Sequence, residues 1–180
     1  NSWEKKNFTG SDGYITLDAP VVPHFNSRVL QISGDPAKKK SVTQSVYMSG
    51  AAGDSLTFAG WAKGNSAPLG TLNGYTRKFA IECYLVHTDG SKSKTYSAVF
   101  NPDSSQWQYT AGGIVAEKAF NEVCISVVYD YNVNAAQFDG IQLYKQAFAT
   151  TFQYAKESSG KKTVTVVDCN NKKTEYTYDE

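Results

Sequence analysis

Apolar and polar positions along this chain alternate with a period of two in most places where any period is visible. From Ser41 to Met48, Val42, Gln44, Val46 and Met48 fall on one side, and Thr43, Ser45 and Tyr47 on the other. From Ser55 to Lys63, Leu56, Phe58, Gly60 and Ala62 oppose Thr57, Ala59, Trp61 and Lys63. From Lys78 to His87, Phe79, Ile81, Cys83 and Leu85 oppose Ala80, Glu82, Tyr84 and Val86. From Glu122 to Tyr131, Val123, Ile125, Val127 and Tyr129 oppose Cys124, Ser126, Val128 and Asp130. Side chains alternate across a strand, so each stretch reads as a strand with one buried face. Tyr14 to Leu17, Arg28 to Ser33, Lys94 to Phe100, Gln106 to Thr110 and Gln137 to Tyr144 supply further strands.

Turn residues separate these segments. Thr88-Asp-Gly-Ser91 reads as a tight hairpin, because Asp-Gly accepts the positive φ of primed turns. Gly50 to Asp54 and Asn101 to Ser105 are turns, Gly64 to Gly74 a loop rich in Gly, Asn, Ser and Pro, and Gly112-Gly113 a plain turn. Val115 to Glu122 is a loop with room for a single helical turn, and helical periodicity is otherwise nearly absent. Nine or so short strands at spacings of about 8 to 12 residues predict an all-β fold, an antiparallel two-sheet sandwich.

The pattern changes after about Lys145. Phe148 to Tyr154, Lys161 to Asp168 and Lys173 to Tyr178 are polar, Thr-, Tyr- and Val-rich strands. Phe152-Gln-Tyr154 and Tyr176-Thr-Tyr178 sit 24 residues apart and read as two copies of one motif. Such a period points to stacked hairpins that bury their faces on neighbours. The predicted division is a sandwich over residues 1–146 and a hairpin tail over 147–180, the start of a longer array.

Charge narrows the partners. Lys and Arg number 18 and Asp and Glu 17, a net charge of +1 over 180 residues. That balance leaves no basic footprint for nucleic acid or an anionic membrane. No stretch approaches the roughly 20 apolar residues of a helical membrane span. The three cysteines, Cys83, Cys124 and Cys169, contain no CxxC, and His24 and His87 are isolated, so a zinc site is not expected. Cys83 and Cys124 read as small buried thiols. The sole methionine is Met48 and residue 1 is Asn. The expectation is a segment of a longer exported chain.

Two stretches then carry a resemblance. Gly53-Asp-Ser-Leu-Thr-Phe-Ala-Gly-Trp-Ala-Lys-Gly64, preceded by Arg28-Val-Leu-Gln-Ile-Ser33 and Ser41-Val-Thr-Gln-Ser-Val46, is one. Asp103-Ser-Ser-Gln-Trp-Gln-Tyr109, followed by Ala136-Gln-Phe-Asp-Gly-Ile-Gln-Leu143, is the other. In order and spacing they resemble the jelly-roll carbohydrate-binding modules attached to bacterial polysaccharide-degrading enzymes and surface proteins. The tail, Lys161-Lys-Thr-Val-Thr-Val-Val-Asp168 and Lys173-Thr-Glu-Tyr-Thr-Tyr-Asp179, resembles the YD repeats of bacterial wall-associated proteins, though Asp168-Cys-Asn-Asn lacks the usual Gly. The resemblance implies a secreted or wall-associated bacterial surface protein as the parent. It also implies non-catalytic binding of a polysaccharide or cell-surface glycan.

Sugar recognition needs flat aromatic faces and planar polar groups. On that logic Trp61 and Lys63 are candidates on one face, and Glu82 and Tyr84 on another, with Trp107, Gln44 and Asp130 as further contacts. The resemblance implies that Asp139 holds a loop or a structural calcium; the alternative is a carboxylate accepting backbone N–H bonds at a strand end. No other cofactor is expected. Enzymatic readings find no support, since Glu82, Glu117, Glu122 and Asp130 cannot be paired across a cleft and no histidine stands in a triad context. Lys38-Lys-Lys40 reads as a solvated loop. Two readings of a different class stay open: a ligand-free spacer or cap for a repeat shell, and a protein-adhesion module.

Overall fold

The alternation becomes two packed sheets because each strand has one apolar face to hide. The computed structural model of the protein describes residues 3–17, 28–64, 66–145, 151–156, 162–167 and 173–178. The strands are β1 (Glu4–Lys6), β2 (Gly13–Thr16), β3 (Arg28–Ser33), β4 (Ser41–Gly50), β5 (Ser55–Gly64), β6 (Gly70–Leu72), β7 (Tyr75–Arg77) and β8 (Ala80–His87). They continue as β9 (Tyr96–Val99), β10 (Gln108–Val115), β11 (Phe120–Val128), β12 (Ala135–Lys145), β13 (Thr151–Lys156), β14 (Lys162–Val167) and β15 (Lys173–Tyr178). One five-stranded sheet has the order β1-β4-β11-β8-β9, the other β10-β5-β12-β3-β2. Their pairings are all antiparallel. Among the described residues there is no helix, so none is long and apolar enough to cross a membrane.

The core lies between the sheets. Ile81, Cys83 and Leu85 from β8, Val123, Ile125 and Val127 from β11, and Phe58 and Phe138 from β5 and β12 join one buried cluster. Phe79 organises its aromatic part, with ring centroids 4.9 Å from Phe100, 5.6 Å from Phe138 and 5.7 Å from Tyr129. Burying each such ring contributes about 2 to 3 kcal/mol. Tyr129, fully buried as expected, donates its hydroxyl to the Val133 carbonyl at 2.6 Å.

Several elements differ from the sequence reading. The stretch from Gln106 to Thr110 extends through Gly112-Gly113 as the eight-residue β10. Gly112 is there because it lies against Phe58, where a Cβ would fall 2.3 Å from the ring. The Gly64 to Gly74 loop contains half of a hairpin, β6–β7, turned at Asn73-Gly74 with φ of 51° and 80°. Each of the three predicted tail segments forms one strand, and together they make a three-stranded antiparallel sheet, β13-β14-β15, where a single hairpin was expected. The Glu157 to Gly160 and Asp168 to Lys172 turns, with Cys169, lie outside the described residues.

Lys40 is not solvated. It is 2% exposed, and its ammonium donates to Asp12 Oδ2 at 2.7 Å. Asp12 also accepts from the Thr9 hydroxyl at 2.9 Å and the Ser33 N–H at 2.7 Å. The pair ties the segment around β1 and β2 to the sandwich. Cys83 and Cys124 are buried, as expected, and unbridged. They sit on neighbouring strands but Cys83 points inward beside Ile125 while Cys124 points outward beside Tyr84, so their Cβ vectors diverge.

Candidate functional site

The outer face of the β10-β5-β12-β3-β2 sheet gathers the chemistry. In β5 the inward set Leu56, Phe58 and Ala62 is buried, which leaves Thr57, Ala59, Trp61 and Lys63 facing away from the core. Pairing fixes their neighbours. Trp61 stands between Tyr109 of β10 and Asp139 of β12, and Lys63 stands beside Gln137, which in turn pairs with Gln31 of β3. Adjacent strands lie about 4.8 Å apart, so these side chains form contiguous rows.

The Trp61 and Tyr109 rings approach to 5.3 Å with planes tilted by 53°. Trp61 is half-buried and Tyr109 is 48% exposed. The Tyr109 hydroxyl donates to Gln142 Oε1 at 3.4 Å. Burial, and then the neighbouring Tyr144 phenol, raise the Tyr109 pKa, so this hydroxyl stays neutral at ordinary pH. Gln137 Nε2 donates to Gln31 Oε1 at 3.4 Å, a bond that does not use the carbonyl of Gln137 or the NH₂ of Gln31. Trp107 stands one residue ahead of β10, half-buried and with its indole N–H unpartnered.

A β-bulge in β12 shapes the far end. Gly140 (φ 57°) and Ile141 together oppose Gly60, after which Gln142 pairs with Ala59 and Tyr144 with Thr57. Ile141 turns inward, where a Cβ on Gly60 would meet it at 2.7 Å. The bulge therefore returns Gln142 and Tyr144 to the Trp61 face. Asp139 caps the bulge, accepting the Gly140 N–H at 2.8 Å. Its other oxygen is buried without a partner. Calcium takes six to eight oxygens. Among the described residues no three His, Cys, Asp or Glu side chains converge, so they do not supply that donor set around Asp139.

The remaining candidates lie elsewhere. Glu82 and Tyr84 face outward from the opposite sheet, roughly 10 Å across the core from Trp61. Glu82 is tied to the Lys78 ammonium at 2.6 Å. Tyr84 lies under the Lys92 ammonium at 5.0 Å, and its phenol is pushed up to about 12, first by the Cys124 thiol and then by burial. Asp130 is 5% exposed, with one oxygen unpartnered, and burial raises its pKa against the pull of Lys78 and Lys39. Gln44 pairs with Ile125 and shares the inward side with Val42, so it does not face a ligand on either outer surface. Thus Trp61, Lys63 and Asp139 come together, with Trp107 just ahead of β10, whereas Glu82 and Tyr84 face outward from the other sheet and Asp130 is buried near Lys78, Lys39 and Glu82. Sequence reasoning missed Tyr109, Gln31, Gln137, Gln142 and Tyr144. The signal for Tyr109 was its alternation with Trp107; for Gln142 and Tyr144 the bulge erased it.

No family model matches this sequence, and no curated protein matches it. Solved structures do match in fold. The fold is an all-β, two-sheet jelly-roll sandwich, which carbohydrate-binding modules of known structure share. The enzymatically active domain of tailspike protein 4 from bacteriophage CBA120 aligns with a TM-score of 0.60 at 11% identity, over 79% of this chain and 19% of that one. A family 16 carbohydrate-binding module aligns at 0.51 and 16% identity, over 78% and 89%. The CBM22-1 and GH10 modules of Clostridium thermocellum endo-1,4-β-D-xylanase 10B, complexed with xylohexaose, align at 0.51 and 12% identity, over 83% and 27%. The chain spans about a fifth of the tailspike domain, and both a binding module and an enzymatic domain are among these neighbours. At such identities the likeness concerns the fold alone.

Proposed function

We propose that this domain binds a carbohydrate chain non-catalytically on the outer face of the β10-β5-β12-β3-β2 sheet. The observation that carries the reading is the Trp61–Tyr109 aromatic pair standing beside the Gln31–Gln137 amide pair. Aromatic faces stack on the C–H faces of a sugar ring, and planar amides bridge neighbouring hydroxyls. The 53° tilt between the rings suits a single twisting chain rather than a flat crystalline surface. The xylohexaose complex of a similarly folded protein, and the recurrence of the fold among carbohydrate-binding modules, support the reading. In the parent context, the domain tethers a larger exported bacterial surface protein to polysaccharide, with the β13-β14-β15 sheet beginning a repeat array. The motif copies Phe152-Gln-Tyr154 and Tyr176-Thr-Tyr178 motivate that extension.

Affinity gel electrophoresis over soluble polysaccharides tests the binding. Trp61→Ala and Tyr109→Ala should each weaken it by about 2 kcal/mol, roughly thirtyfold, and Tyr84→Ala on the opposite sheet should leave it unchanged. Absence of binding to every polysaccharide by a folded wild type would favour the ligand-free spacer.

A further inference from the structure

We propose that the glycan taken by this face is acidic, a chain carrying uronic-acid carboxylates, and that Lys63 is the residue that selects for that charge. The inference rests on the glycan reading above and names its ligand class.

Most lysines among the described residues already have a partner. Lys38, Lys40, Lys78, Lys118 and Lys145 each pair with a carboxylate, namely Asp35, Asp12, Glu82, Asp89 and Asp54. Lys5, Lys39, Lys92 and Lys94 each lie over an aromatic ring. Lys63 does neither among the described residues, although it is half-buried. It sits two positions from Trp61 on one face of β5, and its neighbour across the strand pair is the neutral Gln137. A lysine with no counter-charge of its own is free to pair with an incoming anion, and the pairing weakens as salt screens it.

Geometry decides where that anion would be. Two residues along a strand span about 7 Å, which lies within reach of an extended lysine side chain. A sugar ring stacked on Trp61 can therefore turn a ring carboxylate toward the Lys63 ammonium, while Gln31 and Gln137 take hydroxyls in the same row. The one carboxylate in the Trp61 row is Asp139. It lies across the strand pair from Trp61 and not from Lys63, with one oxygen held by the Gly140 N–H and the other closed off from solvent. Its charge disfavours a uronate turned the opposite way, so the two residues together fix the direction of the bound chain. A neutral glycan makes the aromatic and amide contacts but leaves Lys63 without a counter-charge.

Matched ligands separate charge from backbone. Polygalacturonate is compared with its fully methyl-esterified form, and glucuronoxylan with xylan lacking glucuronate; polymannuronate and neutral galactan complete the panel. Isothermal titration is run at about 50 mM and 500 mM NaCl. At least one acidic member should bind about tenfold more tightly than its neutral counterpart at low salt, with the gap closing at high salt. Lys63→Gln should abolish the gap; Lys63→Arg should preserve it; Trp61→Ala should lose both ligands. Equal affinity within every matched pair, a neutral glycan preferred, or a gap that survives Lys63→Gln overturns the assignment and leaves the glycan reading standing. No binding to any member by the folded protein overturns the glycan reading itself, and the assignment falls with it.

Discussion

Asp12→Ala should be among the most damaging single substitutions in this protein, and Lys40→Met should be milder. Both partners are closed to solvent, with side-chain exposures of 2% for Lys40 and 0% for Asp12. Removing Asp12 leaves a buried ammonium without a counter-charge and strands the Ser33 and Thr9 N–H groups that it caps. Loss of one partner of a buried ion pair costs about 4 kcal/mol. Removing Lys40 leaves the carboxylate with donors from Thr9 and Ser33, so that cost is about 2 kcal/mol. Asp12→Ala/Lys40→Met together removes both charges, and its cost should fall below the sum of the singles by at least 1 kcal/mol. Urea unfolding followed by tryptophan fluorescence reads these values. With a slope near 2 kcal/mol per molar urea, Asp12→Ala moves the midpoint by about 2 M. The acid limb gives a second readout. Burial pushes the Asp12 pKa up, but the Lys40 ammonium and the Thr9 and Ser33 bonds outweigh it and the pKa falls below 3.8. The folded value is depressed, so this stabilisation is present above pH 3.8 and is lost as pH falls through the lower folded pKa. Strictly additive single losses, or Lys40→Met costing more than Asp12→Ala, would falsify the reasoning.

Other outcomes follow from the same contacts. Gly112→Ala drives a methyl into Phe58 and should cost about 1 to 3 kcal/mol in thermal or urea unfolding; an unchanged midpoint would mean β10 can shift freely. Tyr129→Phe removes the donor to the Val133 carbonyl and should cost about 1.5 kcal/mol, with glycan affinity unaltered because the ring lies in the core. Asp130 has a folded pKa raised above 3.8, so it contributes stability as pH falls through that raised value toward 3.8; the stability gap between wild type and Asp130→Asn should shift in that window, and a pH-independent gap would contradict it.

The strands that alternate over eight or more residues were legible because one face of each had to be apolar. β5 and β8 match their sequence bounds within two residues and β11 within three, and Arg28 to Ser33 matches throughout. What the pattern hid was decided between strands. Gly112-Gly113 looks like a turn until Phe58 is placed beneath it, and Lys40 looks solvated until Asp12 arrives from 28 residues away. Trp61 and Lys63 were readable as a pair because they share one strand. Their partners Tyr109 and Gln137 were not, since cross-strand register depends on which strands become neighbours. Glu82 and Tyr84 were equally well placed on an outward face, but pairing put that face on the other sheet.

The extra residue in β12 makes the molecule sensitive to length at one place. Deleting Gly140 or Ile141 would only remove the bulge and keep the downstream faces, whereas inserting one residue that takes its own place in the ladder would make everything downstream exchange sides. Leu143 would go to water, while the Gln142 amide and the Tyr144 phenol would be driven against Phe58. An insertion elsewhere in a loop changes a connection; here it rewrites which residues the domain shows to the outside. Natural variants and engineered chimaeras should therefore tolerate splice points at Asn73-Gly74 or Asp89-Gly90 and reject them between Asp139 and Gln142.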